Sequence, residues 1–272
     1  MQISHSKPTY SPFRSILAGL VIVAGAILWL RHDYHDTLDR MAIQQANVAR
    51  LLETHTTYVI ENVDSILDRV GDEVRDHDVL GKEAEQRWPI FSEIAKRLPV
   101  SGRLWLYRAD GSAVMASHLR QSTNNATDRE YFTAQKAPGT GLFIGETVIG
   151  KTTGRKVFNI SRRLETPDGS FAGVAMAAID IDVFIREVSD LNLGSSASYT
   201  LARSDGAIIM RHPDAGATGK RFNLTVLDEA TKAATGVITV ISKIDQIERQ
   251  MAFRKHATLP LITVVTVARE EI

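Results

Sequence analysis

Residues 16–30 run without a charged or strongly polar side chain, and this run divides the chain into two unequal parts. Fifteen helical residues reach about 22 Å at about 1.5 Å each. A bilayer core asks for about 20 apolar residues and accepts about 17. Phe13 and Tyr34 lengthen the segment, and Arg14 and Arg31 can snorkel at its ends. Ala24-Gly25-Ala26 has the small residues of a cleavable leader. Apolar residues continue to Leu30, however, which favours a retained anchor. No amphipathic period runs through the stretch, which argues against a buried soluble helix. Lys7 and Arg14 precede it with no acidic residue, whereas Asp33, Asp36 and Asp39 follow. The positive-inside rule then predicts a cytoplasmic amino terminus over residues 1–15, an anchor over 16–34, and an extracytoplasmic remainder.

Residues 36–70 hold neither Pro nor Gly, so one long helix is expected. Within it Ala49, Leu52, Thr56, Val59, Val63, Ile66 and Val70 recur at alternating intervals of 3 and 4. That heptad-like stripe fits a stalk that dimerises with a second copy. It fits equally a helix that packs its apolar face on the following domain. A second helix is expected over residues 83–98, ended by Pro99.

Short strands and turns follow. A hairpin is expected at residues 104–117 around Asp110-Gly111, and a short helix over 128–135 capped by Thr127. Strands are expected at 142–149, 156–163 and 172–179, and a helix at 182–191. An internal repeat then emerges at an offset of 95 residues. Leu106, Arg108, Asp110-Gly111 and Met115 return as Leu201, Arg203, Asp205-Gly206 and Met210. The second copy adds a helix at 224–233 and strands at 237–242, 250–255 and 261–268. The fold class is therefore α+β: an anchor helix and a long helix, then two antiparallel-sheet modules. Their boundaries are read as 35–99 for the helices, 100–194 for the first module and 195–272 for the second.

The 32 basic and 32 acidic residues cancel, which gives no basic excess for nucleic acid. Without cysteine the chain has no thiol nucleophile, disulfide or thiolate metal site. Its eight histidines are scattered, so no metal site is expected, and no cofactor motif is present. No nucleophile elbow or metalloprotease signature occurs, so no catalytic residue is assigned.

At this point the chain resembles a known family. Asp128-Arg129-Glu130-Tyr131-Phe132 is followed by Gly141-Leu142-Phe143-Ile144-Gly145 and then by Thr153-Gly154-Arg155. Ile160-Ser161-Arg162-Arg163-Leu164 comes next, and then Pro167-Asp168-Gly169-Ser170-Phe171-Ala172-Gly173-Val174. This ordered series is similar to the double Cache, PAS-like extracytoplasmic sensors of bacterial histidine kinases, diguanylate cyclases and chemoreceptors. The resemblance covers about residues 35–272. It implies a small ligand held in the membrane-distal module by Arg129, Tyr131 and Phe132, with Asp180 matching the acidic residue of amino-acid-binding members. An arginine fork suits a carboxylate, and a carboxylate opposite would suit an ammonium group. Asn159 and Ser161 share one strand face by alternation and are added as weaker members of the site. Arg162 and Arg163 point to opposite faces, so one of them can meet an anion.

Several positions depart from the amino-acid-binding pattern. Asn124 and Ala175 stand where tyrosines are expected, and residues 147–149 lack the expected Tyr and Asp. The expected ligand is accordingly an organic anion or an amino-acid-like molecule. The second module has no copy of Arg129-Glu130-Tyr131-Phe132 and is expected to lack such a site. The resemblance further implies an inner-membrane protein with a periplasmic sensor region, a partner copy through the stalk helix, and an output domain beyond residue 272. Two other classes stay open: a membrane-tethered periplasmic hydrolase and a structural or adhesion protein.

Overall fold

A computed structural model describes residues 12–100, 102–151, 153–188, 196–221, 224–242 and 244–271. Two helices open the chain, α1 (Pro12–Asp76) and α2 (Ala84–Ala95). A first group follows: β1 (Arg103–Arg108), β2 (Ala113–Ala116), α3 (Glu130–Thr133), β3 (Phe143–Ile144), β4 (Val148–Ile149), β5 (Lys156–Glu165), β6 (Phe171–Asp180) and α4 (Ile181–Val188). A second group comprises β7 (Ser198–Arg203), β8 (Ile208–His212), α5 (Leu224–Lys232), β9 (Thr235–Ile241), β10 (Glu248–Lys255) and β11 (Leu261–Ala268). The architecture is α+β, with a long amino-terminal helix and antiparallel sheets.

The strands form two antiparallel sheets, ordered β2-β1-β6-β5-β3 (with β4 also on β5) and β8-β7-β11-β10-β9. With β3 and β4 counted together as one strand, both groups follow the same path, 2-1-5-4-3. The 95-residue repeat extends to an irregularity: the register shifts between Leu106 and Tyr107 in one sheet and between Leu201 and Ala202 in the other. The expected module boundary at 194/195 lies outside the described residues, as does the end of the helix expected at 182–191.

Strand alternation gives each sheet two unlike faces. In the first sheet Leu104, Leu106, Phe158, Ile160, Ala175, Ala177 and Ile179 belong to one buried cluster with Val59, Val63, Ile66 and Val70 of α1. Tyr199, Leu201, Leu261, Val265 and Val267 of the second sheet enter the same cluster. Each large aliphatic side chain buried this way contributes about 1.5–3 kcal/mol. All seven members of the heptad-like stripe are buried. The chain's own sheets cover them, so the packing reading holds, and the stripe is not free to form a seam with a second copy.

Polar contacts fix the helix along its length. Arg162 pairs with Asp64 and Asp68 of α1, Arg254 with Glu53, and Gln45 donates to Gln250 at 3.2 Å. Arg162 is thereby a helix-docking residue, not a ligand contact. The helix runs past the expected end near residue 70 to Asp76, with Gly71 inside it. Among the described residues no helix is long and apolar enough to cross a membrane. The apolar stretch passes into Arg31, His32 and Asp33 within α1. The expected cytoplasmic segment, residues 1–15, falls partly outside the described residues, whereas the expected anchor, residues 16–34, lies within α1.

Candidate functional site

The face of the first sheet turned away from α1 carries an unusual row. Arg103 lies opposite Ala178, and Ala178 opposite Asn159, so these three span β1, β6 and β5 on one face. The small Ala178 leaves a depression between two long polar side chains. The next row reads Trp105, Met176 and Ser161. Above this floor lies a cleft of about 950 Å³. Trp105 and Tyr107 form part of its lining, stacked with ring centroids 6.1 Å apart. Tyr131, the strand β4 and the flanking Glu146, Lys151, Thr153 and Arg155 form its walls.

Of the six residues expected at the site, Arg129, Tyr131, Asn159 and Asp180 line this cleft. Phe132 and Ser161 do not. Successive helical residues diverge by about 100°, so Tyr131 meets the cleft while Phe132 enters the core. Phe132 is fully buried and meets Tyr107 and Phe171 edge-on, at 6.4 and 5.9 Å. Ser161 is likewise fully buried and donates to the Tyr131 carbonyl at 2.8 Å. Both support the wall instead of touching its contents. Arg163 is also withdrawn, donating to the carbonyls of Gln135 and Lys136 at 3.0 and 2.9 Å.

The helix expected over 128–135 is shorter. The Thr127 hydroxyl and amide both donate to Asn125 Oδ1, at 2.6 and 2.9 Å, so Thr127 closes a turn and does not cap the helix. Arg129 instead holds the N-cap position in extended geometry, φ −93° and ψ 136°. Among the described residues its guanidinium meets only Asp128, with Nε 3.6 Å from the carboxylate. Tyr131 donates to the Tyr107 hydroxyl at 3.3 Å. Burial raises both phenols above their ordinary range, and for Tyr107 the Tyr131 ring adds to this, so both stay protonated.

Asp180 has both carboxylate oxygens engaged. Oδ1 accepts from the amides of Asp182 and Val183 at 3.0 and 3.4 Å, capping α4. Oδ2 pairs with Arg155 at 3.0 Å. Glu130, also in the lining, is engaged at both oxygens, accepting from Arg203 at 2.7 Å and from the Glu146 amide at 3.0 Å. Among the described residues the Arg103 guanidinium and the Asn159 amide have no side-chain partner, although both line the cleft. Sequence reading missed Arg103, Trp105 and Tyr107. Their spacing of two along β1 was the available signal. Among the described residues no group of three metal-ligating side chains converges.

Comparison with known proteins agrees with this geometry. The family model described as Cache domain matches residues 31–272. The extracellular domain of a protein described as histidine kinase rpHK1S-Z16 is 26% identical, with a TM-score of 0.75 over 86% of this chain and 97% of that one. The ligand-binding domain of the Pseudomonas fluorescens chemoreceptor CtaA, in complex with L-isoleucine, is 16% identical, with a TM-score of 0.60 over 89% and 95%. That of the Pseudomonas aeruginosa chemoreceptor PctC, in complex with GABA, is 15% identical, with a TM-score of 0.57 over 81% and 96%. No curated protein matches in sequence. The chain belongs to the Cache domain family, and it is a sensor domain that resembles the extracellular ligand-binding domains of histidine kinases and chemoreceptors.

Proposed function

We propose that the cleft over the first sheet binds a small organic anion and that the chain is the periplasmic sensing part of a membrane receptor. One observation carries this reading. Arg103, Arg129 and Asn159 line the cleft, and among the described residues no hydrogen bond occupies their side chains. These donors face the open cleft and are free to take the acceptors of a ligand, and hydrogen bonds to a charged guanidinium are the stronger kind. A carboxylate across Arg129, with its far end toward Arg103 or Asn159, supplies those acceptors. Tyr131 and Tyr107 flank it as neutral phenols. An amino acid is the second reading, favoured by the L-isoleucine and GABA of the relatives. Its ammonium group would have to draw Asp180 from Arg155.

The rest of the reading follows the same logic. The two sheets are the distal and proximal modules, divided near residues 194/195. Leu20, Val21, Ile22, Ile27, Leu28 and Trp29 are all more than half exposed on α1, which supports residues 16–34 as the anchor. Output then rests with a kinase, cyclase or chemoreceptor domain. Thermal melting of the 272-residue chain against matched panels of small carboxylates, amino acids and amines tests the ligand class. Carboxylate-bearing compounds should raise the melting temperature. A rise with amines alone, or with nothing, contradicts the assignment.

A further inference from the structure

The second sheet also turns one face away from α1, and there the repeat has been altered. At the 95-residue offset, Trp105 and its cross-strand partner Ala116 become Thr200 and its partner Arg211. An aromatic floor residue beside a small one is thus replaced by a hydroxyl beside a guanidinium. Both are sealed from solvent: Arg211 is 4% exposed and Thr200 is 1% exposed. Among the described residues, Arg211 Nε and Thr200 Oγ1 are buried atoms with no hydrogen-bond partner. They stand opposite one another in register, which puts their Cβ atoms about 5 Å apart.

Charge around them does not balance. Arg249, 6% exposed, lies on the same side of the sheet. Its Nε and Nη2 donate to Asp245 Oδ2 at 3.0 and 2.7 Å. Its Nη1 donates to the Ser196 carbonyl at 2.6 Å. Asp245 is therefore committed to Arg249, and Arg211 reaches it only at 3.8 Å. Asp214, the other carboxylate acting on Arg211, is held by Lys156 at 2.6 Å. Burial, with Arg249 adding to it, pushes the Arg211 guanidinium below its ordinary range. Water could satisfy an N–H, but it could not offset a second buried positive charge.

We propose that Arg211 and Thr200 form a second ligand site, in the membrane-proximal sheet, for a small oxyanion. An oxyanion offers acceptors to both orphan groups at once and neutralises the uncompensated guanidinium. This site differs in kind from the cleft over the first sheet, because a hydroxyl and a guanidinium stand where that cleft has Trp105 and Ala116. Its likeness to that cleft is positional, through the repeat.

The test is the melting temperature of the full chain in sodium phosphate, sulfate or acetate, each against chloride at matched ionic strength. A response to the inorganic salts alone identifies a tetrahedral oxyanion, and a response to acetate identifies a carboxylate. A rise of about 3 °C or more is expected for one of these anions in the unaltered chain. It should be diminished in Arg211→Met, which keeps the stem and removes the charge, whereas general salting effects and binding in the first-sheet cleft persist there. An anion held in the first-sheet cleft would raise both proteins equally, and that result overturns the proposal. So does the absence of any rise beyond chloride in the unaltered chain. If Arg211→Met does not fold, Thr200→Val decides: a diminished rise supports the site, and an undiminished one overturns it.

Discussion

Replacing Gly173 with alanine should destabilise the fold by about 3 kcal/mol or more, or prevent folding. Gly173 sits in β6 between Arg108 of β1 and Leu164 of β5. Its φ is +154°, and a Cβ there would lie 2.0 Å from the Tyr107 carbonyl oxygen. No rotamer relieves that clash, because the obstacle is backbone in a paired strand. To make room, β1 would have to leave β6, and Trp105 and Tyr107 of the cleft would move with it. Gly139→Ala is the control. It also has a positive φ, +75°, but nothing lies within 4 Å of the added atom. It should cost only about 1 kcal/mol. Urea denaturation of both variants measures the difference. A Gly173→Ala protein within about 0.5 kcal/mol of the parent would refute the close approach.

Stability should also fall as the solution is acidified from pH 6.5 toward pH 4. His256 is 3% exposed, between α1 and the second sheet. Thr57 and Thr263 hydroxyls hold its ring nitrogens at 3.0 and 2.9 Å. Burial lowers its pKa from 6.5 to about 4; Glu53 opposes this and Arg254 adds to it. Between those values the unfolded chain binds a proton that the folded chain refuses. The folded state therefore holds its full advantage above about pH 6.5, loses it progressively on acidification, and loses no more from this group below about pH 4. A shift of this size corresponds to about 3 kcal/mol. His256→Gln should flatten the profile across that window. An unchanged slope in the variant would assign the effect to other groups.

Much of the scaffold was legible because its signals are local. The 3-and-4 spacing of Ala49 to Val70 marked a buried helix face, and that face is buried. Alternation and Asp-Gly turns located both hairpins, and the strands form antiparallel sheets as alternation suggested. The site was legible in part. Arg129 and Tyr131 came from a resemblance, and both line the cleft. Phe132 was misplaced because adjacent residues of a one-turn helix diverge, and the turn at Thr127 set which of them faces inward. The row of Arg103, Ala178 and Asn159 depends on the register of three strands that are far apart in sequence. Local periodicity carries no register between distant strands. The engagement of Asp180 was equally hidden, because Arg155 arrives from a loop 25 residues away.

The assignment of the cleft rests most heavily on Arg129. Its guanidinium is half-buried, faces the cleft, and among the described residues meets only Asp128, at 3.6 Å. A ligand carboxylate there would accept charge-assisted hydrogen bonds of about 1.5–3 kcal/mol each. Removing them leaves the fold intact, because Arg129 docks no helix and joins no core cluster. The deciding measurement is a calorimetric titration of the unaltered chain and of Arg129→Ala with a carboxylate that raises the melting temperature. The account predicts binding weakened about ten- to a hundredfold in a variant of unchanged stability. Equal affinity in a folded Arg129→Ala protein would contradict it, and would make Arg129 a structural residue.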